Sequence, residues 1–98
     1  MIGDVRGRGL ALGVELVGDR ESREPVTAAT TAKVIYRAYQ LGAVLFYVGL
    51  RANVLELTPP LTLSEAEARE GIAIIDQALT DVARGLVSDA DVAPFMMW

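Results

Sequence analysis

One lysine, Lys33, three tyrosines, thirteen carboxylates and neither histidine nor cysteine are the reactive groups of this 98-residue chain. Their absence removes the commonest general base, the thiolate nucleophile and the usual zinc ligands, so proton transfer is left to carboxylate, lysine or tyrosine. Lys33 is the one side chain able to form a Schiff base. That role needs a desolvated pocket, whereas a lysine after Ala32 in a helical pattern is ordinarily solvated. Tyr36 and Tyr39 share the pattern and either face a ligand or, as aromatic residues on a helix flank more often do, pack. Gly7, Gly9 and Gly13 invite a phosphate-loop reading, but their spacing matches neither nucleotide fingerprint and no helix follows them. Arg6 and Arg8 beside them read as strand-edge arginines, solvated or paired with carboxylates.

Charge and hydropathy narrow the classes further. A net charge of −4 without a basic cluster excludes a phosphate-backbone partner, so nucleic acid is not expected. The most apolar run, Ala43 to Leu50, is far shorter than the roughly 18–20 residues of a membrane helix. The first residues, Met1-Ile2-Gly3-Asp4, lack the basic and apolar regions of a secretory signal, and the absence of cysteine suits a reducing compartment. A cytoplasmic protein is expected. At 52% hydrophobic residues the chain is more apolar than a small free-standing domain needs, which a missing neighbour would explain.

Residues of these types must be positioned by the elements around them. Asp4 to Gly9 and Leu10 to Val17 read as two strands about a glycine-rich bend, the second with a period of two. Gly7 and Gly9 supply backbone freedom at the bend or a bulge. A polar loop, Gly18 to Glu24, leads to Pro25 in the first turn of a helix that buries Thr31, Val34, Ile35, Ala38 and Leu41 and ends at Gly42. Val44 to Val48 has the composition of a buried strand, and Gly49 to Ala52 connects it to an antiparallel neighbour at Val54 to Leu57. Pro59-Pro60 then stops the ladder, and Ser64 with Glu67 forms a capping box. The second helix carries a core stripe of Ala68, Ile72, Ile75, Leu79, Val82 and Leu86 and ends at Gly85. The pattern predicts an α+β fold in the order β-β-α-β-β-α, a small, mostly antiparallel sheet with helices on one face. Residues 1–85 form the domain and 86–98 a tail whose apolar end, Phe95 to Trp98, folds back or packs on another surface.

Two motifs, Asp4-Val5-Arg6-Gly7-Arg8-Gly9-Leu10-Ala11-Leu12-Gly13-Val14-Glu15-Leu16 and Asn53 to Leu63, together resemble the C-terminal part of class III aminotransferases, which use pyridoxal phosphate on the type I fold. The resemblance runs from about Ile2 to Arg84. It implies that the chain is a fragment, the small C-terminal domain of an enzyme that moves an amino group from an amino donor to a keto acceptor. The cofactor and its Schiff-base lysine would lie in a large domain of the same enzyme, itself a homo-oligomer, and the fragment alone would be inactive. No catalytic or cofactor-binding residue is carried over onto this chain.

The resemblance also exposes a departure. Many members that bind amino acids have an arginine three residues before the two-proline position, paired with the substrate carboxylate; this chain has Glu56 there. Glu56 and Arg51 are therefore the candidate substrate-binding residues. Glu56 either faces the cleft, favouring an amine-bearing substrate or pairing with a mobile arginine such as Arg51, or it is a solvent-facing strand residue with no substrate contact. A rival from another class stays open: a free-standing α+β binding or oligomerisation module without chemistry of its own.

Overall fold

In the computed structural model, which describes residues 1–9 and 11–95, the chain opens with strands β1 (Ile2–Arg8) and β2 (Ala11–Asp19). They pair antiparallel, Arg8 lies opposite Ala11 across the reversal, and Gly9 stands there at a φ of 56°. The register shifts between Ile2 and Asp4, so the bulge lies at the far end of β1 and not at Gly7. Gly7 serves a different purpose. A Cβ there would overlap the carbonyl oxygen of Ala11 and approach Leu12 Cα within 2.8 Å, so glycine lets the two backbones close.

Pro25 does not begin a helix. It lies in the two-residue strand β3 (Glu24–Pro25), opposite Val17 of β2. Helix α1 (Ala28–Leu41) starts after Thr27, whose side chain accepts a hydrogen bond from the Thr30 amide. Threonine satisfies one of the amides left unpaired in a first turn, a function proline does not supply. Gly42 ends α1 at φ 110°, with amide bonds from Gly42 to Tyr39 and from Ala43 to Ala38 that form a Schellman closure.

Strands β4 (Phe46–Val48) and β5 (Val54–Leu57) are antiparallel neighbours, and the sheet order is β1-β2-β5-β4, with β3 beside β2. The expectation of a buried strand from Val44 is corrected here: β4 is an edge, only Leu45 and Tyr47 turn inward, and Val44 is 70% exposed. Its apolar composition reflects an uncovered surface. Asn53 continues the central pairing past the end of β5. Its carbonyl accepts from the Leu16 amide at 2.7 Å, while its side-chain amide donates to the Leu16 carbonyl at 3.0 Å.

After Pro59-Pro60 the capping box forms as the sequence specifies: Ser64 Oγ accepts from the Glu67 amide and Glu67 Oε1 from the Ser64 amide, both at 3.1 Å. Helix α2 (Glu65–Ala83) follows and closes through Arg84 and Gly85, whose φ is 74°. Its stripe is narrower than expected. Leu79 is buried and Ile75 and Val82 pack on the core, but Ile72 is 67% exposed and Leu86 lies beyond the helix on the surface. The buried face of the last turns includes Asp81 instead.

Both long helices cover one face of the sheet, where Val14, Leu16 and Leu55 meet Val34, Ala38, Ala78 and Leu79. Fully burying a leucine contributes roughly 1.5–3 kcal/mol, so Leu16 and Leu55 anchor this layer. Residues beyond Gly85 add a second cluster. A four-residue helix, α3 (Asp89–Val92), capped by Ser88, sets Val87 and Val92 against Ala32. A 3-10 turn, Ala93–Phe95, brings the Phe95 ring to 5.7 Å from Tyr36. Of the apolar tail only Phe95 falls within the described residues; Met96 to Trp98 lie outside them.

Candidate functional site

The alternation of each strand that buries Val14 and Leu55 under the helices turns Gly13, Glu15, Val54 and Glu56 to the opposite, uncovered face. Lateral pairing arranges that face in rows. Phe46, Glu56, Gly13 and Arg6 form one row, and Val48, Val54, Glu15 and Asp4 the next. Glu56 is half-buried between Phe46 and the bare backbone of Gly13. Among the described residues its carboxylate has no hydrogen bond or ion pair.

Arg51 stands in the reversal between β4 and β5, where the Ala52 amide bonds the Gly49 carbonyl at 3.1 Å. Gly49 has a φ of 94° and Ala52 one of 52°. Such a conformation costs a residue with a Cβ roughly 1–2 kcal/mol, so the surrounding structure must hold it. Arg51 has no hydrogen bond or ion pair among the described residues, and it is not joined to Glu56. It lines a depression of about 430 Å³ with Arg6, Glu15, Arg23, Asn53 and Val54, and Glu56 is not part of that lining.

The Arg6 side chain is tied down by two carboxylates, its Nη1 donating to Asp4 Oδ2 at 3.0 Å and to Glu15 Oε2 at 3.1 Å. These bonds, Glu15's first, raise its pKa above the ordinary arginine value. Arg23 Nη2 lies 3.9 Å from the same Glu15 oxygen. The expectation that Arg6 pairs with carboxylates holds, but its gathering with Arg23 around Glu15 was not legible, because it depends on two hairpin registers at once. Arg8 lies on the exposed end of β1.

On the helical face, Lys33 is committed. Its Nζ lies 2.7 Å from Asp89 Oδ1, and its side chain is only 20% exposed. Tyr36, its ring tilted against that of Phe95, and the more exposed Tyr39 line an apolar groove of about 860 Å³ with Ile35, Val44 and Phe46. Beneath α1, Asp81 accepts from Arg37 Nε and from Gln77 Nε2, each at 2.7 Å. Arg37, then Gln77, hold its pKa below the ordinary aspartate value against the effect of burial. No signal within α2 alone singles out Asp81, since its partner Arg37 is 44 positions away.

As a set, these side chains can bind and orient charge. Among the described residues no group of three or more carboxylates, histidines or cysteines is placed to hold a metal ion. Of the two features that could suggest a cofactor, Lys33 is paired with Asp89, and Gly7 lies in a hairpin where an added Cβ would meet the backbone of the facing strand. No helix of the described residues is long and apolar enough to cross a membrane.

Comparison with known proteins places this geometry. Residues 1–79 match the family model of class-III aminotransferases. A leucine/methionine racemase of Thermococcus litoralis is 44% identical over 89 residues, which are 91% of this chain and 19% of the relative. A 4-aminobutyrate aminotransferase of Escherichia coli is 39% identical over 80 residues, 82% of this chain and 18% of the relative. A solved pyridoxal-phosphate-bound mutant aminotransferase of Vibrio fluvialis superposes at a TM-score of 0.78 and 28% identity, over 89% of this chain and 19% of that one. The chain spans about a fifth of the length of the curated relatives it matches. Through the family match over most of its length, supported by a shared fold, the chain belongs to the class III aminotransferases.

Proposed function

We propose that this chain serves as the C-terminal, small domain of a pyridoxal-phosphate-dependent enzyme that transfers an amino group between an amino donor and a keto acceptor. The observation that carries the reading is the family match over residues 1–79, on a fold similar to that of a pyridoxal-phosphate-bound aminotransferase. The cofactor supplies the electron sink for chemistry at the amine-bearing carbon. It is held by the parent's large domain, the main partner of this chain, since Lys33 here is paired with Asp89. The small domain contributes a wall of charged residues instead. Glu56, half-buried and without a partner among the described residues, faces the substrate and favours a donor bearing an amine in place of a second carboxylate. Arg51 supplies the complementary positive charge from the neighbouring reversal. The parent works as a homo-oligomer in the cytoplasm, a reducing compartment that a chain without cysteine suits.

A second reading has its own observation. Relatives at 40–44% identity include the leucine/methionine racemase, an alanine/serine racemase of Pyrococcus horikoshii and an isoleucine 2-epimerase of Lentilactobacillus buchneri. In that reading the parent inverts an amino acid's α-carbon. One experiment on the full-length parent decides between them: incubate a single enantiomer of an amino acid with and without a keto acceptor. Amino transfer consumes the acceptor and does not turn over without it. Appearance of the opposite enantiomer in the acceptor's absence overturns transfer in favour of inversion.

A further inference from the structure

All three tyrosines and both phenylalanines of the chain line one groove. Tyr36 and Tyr39 come from α1, Phe46 and Tyr47 from β4, and Phe95 from the 3-10 turn after α3. Among the described residues of this lining none is charged, and they enclose about 860 Å³. Tyr39, Val44 and Phe46 are 68, 70 and 66% exposed. Single apolar residues on a surface need no explanation, whereas a contiguous apolar patch marks a surface that something covers.

The chain beyond α2 is steered onto this groove. Ser88 opens α3 with a capping box, its Oγ accepting from the Asp91 amide at 3.2 Å and Asp91 Oδ2 from the Ser88 amide at 2.9 Å. Val87 and Val92 pack on Ala32 of α1, and Asp89 Oδ1 holds Lys33 Nζ at 2.7 Å. These contacts fix the direction in which α3 leaves. Phe95 then forms the lip of the groove, with its ring 5.7 Å from that of Tyr36. The residues next in sequence are Met96, Met97 and Trp98, and Trp98 is the one aromatic residue outside the lining. Three residues reach at most about 10 Å, the same scale as the edge of a cube of the groove's volume.

Methionine is unbranched and makes sulfur–aromatic contacts, and aromatic rings pair offset or edge to face. We propose that Met96-Met97-Trp98 seats in the groove of its own chain, with Trp98 against Tyr39, Val44 and Phe46, so that the tail fastens α1 to the edge strand β4. Its own chain is the occupant because the segment begins at the lip, where so short a tether gives it an effective concentration that a free second copy does not reach. This inference involves neither cofactor nor turnover, so it fails or stands separately from the proposed amino transfer.

Trp98 is the one tryptophan of the chain, so its fluorescence reports on the tail alone. The measurement is acrylamide quenching of Trp98 in the 98-residue chain over a dilution series, with the urea-unfolded chain as reference. Trp98 emission is blue-shifted and quenched several-fold less than in urea, at every protein concentration. Val44→Glu sets a charge on an exposed wall of the groove and returns quenching towards that of the unfolded chain. Tyr39→Ser does the same, and decides the matter if Val44→Glu does not fold. Leu61→Glu, at an apolar residue 91% exposed and outside the lining, leaves the protection intact. Quenching equal to that in urea, protection that survives both groove variants, or an equal loss in Leu61→Glu overturns the seat. Protection lost on dilution gives the groove to a second copy and overturns the assignment to the chain's own tail.

Discussion

Two glycines of the same hairpin should respond to alanine for different physical reasons, and the difference is measurable. Gly9, at φ 56°, has open space where a Cβ would stand, so Gly9→Ala meets only backbone strain. Left-handed geometry costs roughly 1–2 kcal/mol, and the stiffer unfolded chain returns about 0.4–1, leaving a net loss of about 1 kcal/mol. Gly7→Ala instead drives a methyl into the Ala11 carbonyl oxygen and to within 2.8 Å of Leu12 Cα. Those are backbone atoms, which cannot rotate aside. Overpacking costs about 1–3 kcal/mol where side chains yield, so about 3 kcal/mol or more is expected here, against roughly 5–15 for a whole domain. The lost pairing would also release Arg6 from Glu15, since β1 holds Arg6 in place. Urea melts of the two variants give the comparison. The midpoint should fall in the order wild type, Gly9→Ala, Gly7→Ala, with unchanged m-values, and Gly9→Asn should lie between the first two. Equal midpoints for the alanine variants, or a reversed order, would refute the argument from close backbone approach.

Ser64→Ala should lose about 0.5–2 kcal/mol in the same melts, because the Glu67 amide then loses its capping acceptor. Asp81 makes the chain acid-sensitive. Its folded-state pKa is held below the ordinary 3.8 by Arg37, so its stabilisation is complete above that value and is lost as the pH falls through the folded-state pKa. Asp81→Asn should flatten the acid limb of the stability profile, and an unchanged limb would show that other carboxylates control it. Mixing the chain with pyridoxal phosphate should give no saturable absorbance band; a stoichiometric band that vanished in Lys33→Ala would show that Lys33 leaves Asp89 for the cofactor. In the full-length parent, Glu56→Arg should lower catalytic efficiency with amines lacking a carboxylate relative to amino acids, and an unchanged ratio would remove Glu56 from substrate contact.

Local signals carried much of the fold. Ser64 and Glu67, Gly42, Gly85 and the alternation of β2 are satisfied by neighbours in sequence, and the structure realises each of them. What depends on sheet position was not legible. The residues of β4 read as buried because their types favour burial, whereas the strand order leaves them on an edge. Ile72 fits a helical stripe, yet it is exposed and stands outside the core cluster that Ile75 and Leu79 join. Pro25 suits a first helical turn on composition alone, but Thr27 lies two residues on with a hydroxyl that caps better. Among the candidate residues, Glu56 stood out through a family pattern and Arg51 through its place on the preceding loop, while Arg6, Glu15 and Arg23 meet only once two hairpins are folded and registered.

The strand order has a kinetic consequence. The central pair, β2 and β5, comes from distant parts of the chain; Leu16 and Asn53, which extend their ladder, are 37 positions apart. The β1–β2 hairpin can close within its own segment, and α1 can wind within the intervening one, on microsecond timescales. Neither gains the shared core until the long loop closes and β5 docks between β2 and β4, and the entropy of that closure is spent before its contacts form. The slow step should therefore be the arrival of β5, and until then β2 presents an unpaired edge on which another chain could add. Refolding yield should fall with protein concentration more steeply than native stability alone would suggest, so dilute refolding is the condition under which this domain reaches its native sheet.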